Sequence, residues 1–157
     1  MSDALQELLD KIAISELLAR YSTALDTRDW GGLAEVFLPD AECDYGALGN
    51  PRGVDAITEL IRSTIADLDA TQHLVGNVVV DVRGDEASAD CYLISQHIRK
   101  GTPGGDHYFL GGRYSDRVVR TPAGWRIAHR TLHRMWTSGN RDVVRRPTAA
   151  AGGDPTV

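Results

Sequence analysis

Apolar residues recur at Ile14, Leu17, Leu18, Tyr21 and Leu25 in alternating steps of three and four, which predicts one buried stripe on an amphipathic helix. Asp3 followed by Gln6 has the spacing of a capping box for its start. At about 100° per residue, Asp26 projects about 80° from Leu18, at the edge of that stripe and not on the opposite, watery face. Asp29 reads as the N-cap of a short helix over WGGLAEVF, followed by a strand AECDY in which Ala41, Cys43 and Tyr45 share a face. After the turn GNPRG, the spacing of Val54, Ile57, Ile61 and Leu68 predicts a second amphipathic helix.

From residue 71 the pattern changes to period two. Strand-rich runs cover 71–82, 87–99 and 107–136, the last broken by the turn TPAG at 121–124. Helices with one early strand, followed by long consecutive strands, predict an α+β fold in which helices lie against one face of a strongly curved antiparallel sheet. No repeat of 20–50 residues is visible. From Gly139 the segment NRDVVRRPTAAAGGDPTV loses all periodicity, so the expected division is a domain over 1–138 and a flexible C-terminal tail over 139–157, or an arm laid on a neighbour.

A length of 157 residues with 42% hydrophobic content suits one domain with a single core. The N-terminus lacks a basic segment leading into an apolar run, and no stretch approaches the roughly 18 apolar residues of a membrane span, so the expectation is a cytoplasmic chain with no membrane partner. Cys43 and Cys91 fall in no paired-thiolate spacing and read as buried small hydrophobes. The net charge of −5 is uneven: 18 of the 22 acidic residues precede residue 99, and 11 of the 17 basic residues follow residue 98. Arg113, Arg117, Arg126 and Arg134 alternate with strand formers, which suits a solvated sheet face or a subunit interface better than a phosphate track. Nucleic acid is therefore not an expected partner.

The strand TQHLVGNVVVDV opens with His73, where Val or Ile would pack better. A three-residue loop Gly84-Asp85-Glu86 would set His73 directly opposite His97 on one face, whereas a two-residue Gly-Asp loop would shift the register by one and separate them. A lone strand-end histidine is more often satisfied by a backbone carbonyl. With a carboxylate to fix its tautomer, an imidazole can serve as a general base, and Asp26 is the candidate. An Asp near a helix C-terminus opposes the helix dipole, a modest cost that suggests a role beyond solvation. Tyr21 and Tyr45 can donate phenolic hydrogen bonds, or can equally be core aromatics. His129 and His133 would stand roughly 13 Å apart on a strand, too far to share a zinc ion. KGTPGGD lacks the ending of a phosphate loop, and neither a nucleophile elbow nor a dinucleotide fingerprint is present. The chemistry suggested is acid–base catalysis without metal or cofactor.

Four stretches, YSTALDTRDWGGLAEVFLPDAECDYG, TQHLVGNVVVDV, LISQHIRK and GGRYSDRVVRTPAGWRIAHRTLHRMW, resemble the SnoaL-like branch of the nuclear transport factor 2-like superfamily over about residues 5–137. The placement of Asp26, Tyr45, His73 and His97 is similar to scytalone dehydratase, with similar Asp and His positions in hexachlorocyclohexane dehydrochlorinase and bile acid 7α-dehydratase. The resemblance implies a cone-shaped α+β barrel around a pocket closed by the N-terminal helices. It further implies His73 as the proton-abstracting base, Asp26 as its orienting partner, Tyr21, Tyr45 and His97 as pocket residues, and Arg130 as an assisting cation. Departures exist: Leu25 replaces a second Tyr beside the Asp, Tyr114 stands where scytalone dehydratase binds substrate with Asn, and Arg20-Tyr21 stands where the dehydrochlorinase has Lys. The implied activity is a cofactor-independent lyase of the dehydratase type acting on a hydrophobic cyclic small molecule, in a homotrimer. An isomerase or cyclase using the same pair, and a non-catalytic ligand-binding or assembly subunit, remain open alternatives.

Overall fold

The computed structural model describes residues 3–145. Helix α1 spans Asp3–Thr27, and every residue of the predicted stripe is buried. Gln6 does not close a capping box; its amide donates to Asp10 at 3.1 Å. The short helix after Asp29 is a 3-10 turn, Gly31–Glu35, with the Asp29 carboxylate accepting from the Gly32 N–H. Strand β1 (Phe37–Asp44) and helix α2 (Val54–Ile65) follow, then β2 (Ala70–Arg83), β3 (Glu86–Ile98), β4 (His107–Thr121) and β5 (Gly124–Gly139). No helix among the described residues is long and apolar enough to cross a membrane.

The five strands form one sheet in the order β1-β5-β4-β3-β2. The expected α+β class holds, with two corrections. The sheet is mixed, because β1 runs parallel to β5. It is also unclosed, since β1 and β2 remain its two edges. Hairpin logic orders strands that are neighbours in sequence, but β1 is separated from β5 by α2 and three strands. A parallel neighbour requires such a crossover.

Inward residues of β3 explain how one sheet builds both a core and a cavity. Ala87, Ala89 and Cys91 are buried and small, Leu93 continues the row, and the same face then turns polar at Ser95 and His97. The β4–β5 ladder has irregularities at Gly111/Gly112, beside the start of that polar end, and at Arg117/Val118, beside the Ala87 end, and bulges of this kind increase a sheet's curvature. A side chain at Gly111 would enter the indole of Trp136, so only glycine allows this close approach. At the start of the expected tail, Arg141–Val143 form a 3-10 turn whose Val143 is fully buried while Arg141, Asp142 and Arg145 are exposed. The remainder of that tail lies outside the described residues.

At the far end of α1, Asp10 is buried and accepts from both terminal nitrogens of Arg120 at 2.8 Å and from Trp125 Nε1 at 3.1 Å. These bonds tie α1 to the β4–β5 hairpin. The Arg120 hydrogen bonds hold the Asp10 carboxyl down at about 2, against the opposing effect of burial.

Candidate functional site

The β2–β3 hairpin has the two-residue loop, with Arg83 paired to Glu86. Taken alone, that register would place His73 and His97 on opposite faces. A bulge between Gly76 and Val79, with Asn77 at φ 51°, shifts the pairing by one more residue. Two single shifts restore the parity: His73 pairs with Ser95 and Thr71 with His97, so the two imidazoles are diagonal neighbours on one face. Their ring centroids are 5.5 Å apart, edge to face.

Asp26, the penultimate residue of α1, receives three hydrogen bonds from β2. Its Oδ1 lies 2.7 Å from His73 Nδ1 and accepts from the Thr71 hydroxyl at 3.0 Å; its Oδ2 accepts from the His73 backbone N–H at 2.8 Å. Burial alone would raise the carboxyl, but the His73 and Thr71 hydrogen bonds outweigh it and the net direction is downward. An ionised carboxylate only accepts, so His73 donates through Nδ1 and keeps Nε2 as its unprotonated nitrogen in the neutral ring. Arg28 stands behind the pair, donating to Thr71 Oγ1 and Leu25 O at 2.7 Å each, so the Thr71 hydroxyl turns its proton toward Asp26.

His73 forms part of the wall of a cavity of about 240 Å³. Tyr21, Tyr45, Ser95, His97 and Tyr114 share that wall and are buried, while Leu25, Leu93 and Leu110 supply apolar surface. The volume lies just under the roughly 300–1,000 Å³ of pockets for drug-sized ligands, so it suits a molecule of one or two rings. Tyr21 and Tyr45 hydroxyls are 3.3 Å apart. Burial pushes the phenols of Tyr21, Tyr45 and Tyr114 upward, so all three stay protonated and act as donors. Burial and the adjacent His73 push His97 down to about 4, which makes it a neutral imidazole near neutral pH. Its Nδ1 has no hydrogen-bond partner among the described residues.

Arg130 is placed differently from the other expected site residues. It does not line the cavity but is fully buried behind it, bonded by Nε and one terminal nitrogen to Asp116 at 2.8 and 2.6 Å. Burial disfavours its charge, yet the Asp116 carboxylate keeps the guanidinium protonated. Its Cζ sits 4.2 Å from the Tyr21 ring centre and 4.0 Å from that of Tyr114, so it supports two wall residues from behind. Cys43 and Cys91 are free, buried thiols raised to about 11 by burial, in keeping with their expected packing role. The residues missed from sequence are Thr71, Arg28, Ser95, Tyr108 and the cavity-lining Arg134, Arg141 and Arg145. Ser95 and Tyr108 were legible in principle, since both follow from alternation once His97 is placed inward.

The SnoaL-like domain family matches residues 6–131. An uncharacterized protein of Mycobacterium tuberculosis is 37% identical over 128 residues, covering 79% of this chain and 84% of its own length. Among solved structures, a proposed aromatic ring hydroxylase from Novosphingobium aromaticivorans is 30% identical with a TM-score of 0.78, covering 88% of this chain and 98% of that one. A proposed scytalone dehydratase from the same organism is 25% identical with a TM-score of 0.78, covering 92% and 97%. These two similar chains carry different proposed chemistries, so the choice of reaction rests on the site.

Proposed function

Because the chain belongs to the SnoaL-like family, we propose that it is a cofactor-independent lyase that removes water from a small, largely apolar cyclic substrate, with His73 as the base. The observation that carries this reading is the 2.7 Å contact between Asp26 and His73 Nδ1 in the wall of an apolar cavity lined by neutral phenols. His73 Nε2 removes the proton from a carbon beside a carbonyl, and the electron pair moves onto the carbonyl oxygen. Tyr45 and Tyr21 donate hydrogen bonds to the developing enolate. The enolate then collapses: the carbonyl re-forms, a carbon–carbon double bond forms, and the carbon–oxygen bond to the β-hydroxyl breaks. The departing oxygen needs a proton. His97, held down at about 4, is already a neutral imidazole near neutral pH and has no imidazolium proton to give. The proton comes instead from the His73 imidazolium, which returns the base to its starting state and releases water.

The Asp26 carboxylate stabilises that transient imidazolium and keeps Nε2 bare for the next cycle. A screen of cyclic β-hydroxy ketones for water loss by product mass tests the proposal. On a substrate so found, His73→Ala lowers kcat by about 10²–10⁴-fold with the fold preserved. Undiminished turnover by that variant removes His73 from the mechanism, and a product of unchanged mass assigns the site to isomerisation or cyclisation.

A further inference from the structure

The buried end of the cavity accounts for proton transfer, but its rim is of a different kind. Arg134, Arg141 and Arg145 line the cavity and are exposed, whereas Tyr21, Tyr45, Ser95, His97 and Tyr114 are buried deeper in it. No carboxylate lines this cavity among the described residues. Arg145 is paired with Asp142 at 3.1 Å, while Arg134 and Arg141 have no ion pair among the described residues. Isolated exposed arginines are normally just solvated, and a sequence rich in basic residues after position 98 would scatter them anyway. Here three arginines line one largely apolar cavity in a chain of net charge −5, and they come from separate places: Arg134 from β5, Arg141 from the first position of the 3-10 turn, and Arg145 from just beyond that turn.

We propose that the substrate carries an anionic group, a carboxylate or a phosphate monoester, which Arg134, Arg141 and Arg145 hold at the rim while the reacting ring reaches His73. This rests on the lyase reading and adds the substrate class to it. Guanidinium forks match both anions through paired hydrogen bonds, so the shared chemistry is a planar or tetrahedral oxyanion on one end of an apolar body. The arrangement also fixes polarity: the charge stays in the wet rim, and the carbon acid enters the dry end. Anchoring remote from the reacting atoms orients the substrate without placing a charge beside the enolate.

The test is a binding comparison by calorimetry on the full chain with matched probes: trans-cinnamate against methyl trans-cinnamate, and benzyl phosphate against benzyl alcohol. Each exposed charge pair contributes about twofold, so the acid is expected to bind about tenfold more tightly than its ester, with the advantage shrinking as salt is added. In the R134Q/R141Q double variant the acid-to-ester ratio falls to about twofold, the contribution of one remaining pair. A larger gain for benzyl phosphate over its alcohol identifies a phosphate-bearing substrate, and a larger gain for cinnamate a carboxylate; either upholds the rim site. Equal binding of each charged probe and its neutral partner, including no binding by any of them, overturns the inference, as does an acid-to-ester ratio in R134Q/R141Q undiminished from that of the wild type. Binding is read without turnover, so its failure leaves the water-loss test standing, and failure of that test leaves the anion preference standing.

Discussion

Replacing Asp26 by Asn probes the pair with almost no change in shape. Three donors converge on the carboxylate: Thr71 Oγ1, His73 N and His73 Nδ1. An amide offers one accepting oxygen and one donating nitrogen. The backbone N–H of His73 cannot change its role, so the Asn oxygen takes the Oδ2 place at 2.8 Å and its NH₂ faces Nδ1. Nδ1 must then accept, which moves the ring proton to Nε2 and removes the basic nitrogen from the cavity. Charge is lost as well: at about 4 Å and an effective dielectric of roughly 20–40, the carboxylate stabilises an imidazolium by about 2–4 kcal/mol. At 1.4 kcal/mol per decade this alone is about 30- to 1,000-fold, and the wrong tautomer raises the expected loss of kcat to the order of 10³–10⁴. Imidazole ¹⁵N shifts of the neutral ring read the tautomer without any substrate: Nδ1–H in the wild type, Nε2–H in Asp26→Asn. An unchanged tautomer in the variant, or a wild-type ring already protonated on Nε2, refutes the reasoning.

Other consequences are measurable in parallel. Tyr45→Phe removes one of two phenolic donors 3.3 Å apart and is expected to lower kcat by about 10²-fold with little change in KM, read by steady-state kinetics. His97 titrates at about 4 in the fold against 6.5 when exposed, so on acidification the unfolded chain binds its proton first. Stability is therefore full above pH 6.5 and lost between 6.5 and about 4, by at most about 3 kcal/mol; chemical denaturation of His97→Gln shows this slope flattened. Asp10 titrates in the opposite sense: its carboxyl, at about 2 against 3.8, stabilises the fold above pH 4 and loses that contribution between about 4 and 2. Arg120→Gln removes this second acid step and destabilises by about 1–3 kcal/mol, less than a fully buried pair because Arg120 is partly exposed; thermal melts at pH 7 and pH 3 separate the two effects.

The secondary structure was legible because each element kept a clean period: the α1 stripe is buried as spaced, and the four long strands fall close to the runs at 71–82, 87–99 and 107–136. The position of Asp26 at the edge of the α1 stripe was legible from the helix angle, which made it a candidate, while its pairing with His73 came from the resemblance. The meeting of His73 and His97 was not legible, because it depends on the parity of two independent shifts. The loop Gly84-Asp85 supplies one, and the bulge at Asn77 supplies the other; neither a Val-rich strand nor its partner marks where an extra residue enters. The two arginines were misplaced for a related reason. Arg134 reads as part of a wet face and Arg130, from the resemblance, as an assisting cation of the site, but bulging in β4–β5 turns Arg130 inward against Asp116, behind the cavity, while Arg134 reaches the cavity rim. Local pattern carries no record of which charged residue finds a buried partner.

The position of Asp26 also resolves the cost of an acid at a helix C-terminus. Strand β2 is a sheet edge, and an edge presents N–H groups that invite pairing with another chain. The outward N–H of His73 is one of these, and it is taken by Asp26 Oδ2. The helix thus caps the strand edge at the residue whose ring its other oxygen orients, with Thr71 and Arg28 adding donors around the same point. These donors offset both the unfavourable helix dipole and burial, so the net direction of the Asp26 carboxyl is downward. Structure and proposed chemistry therefore depend on the same three bonds. A substitution at Asp26 that only weakened the edge would lower stability and spare the His73 tautomer, whereas the geometry requires both to change together.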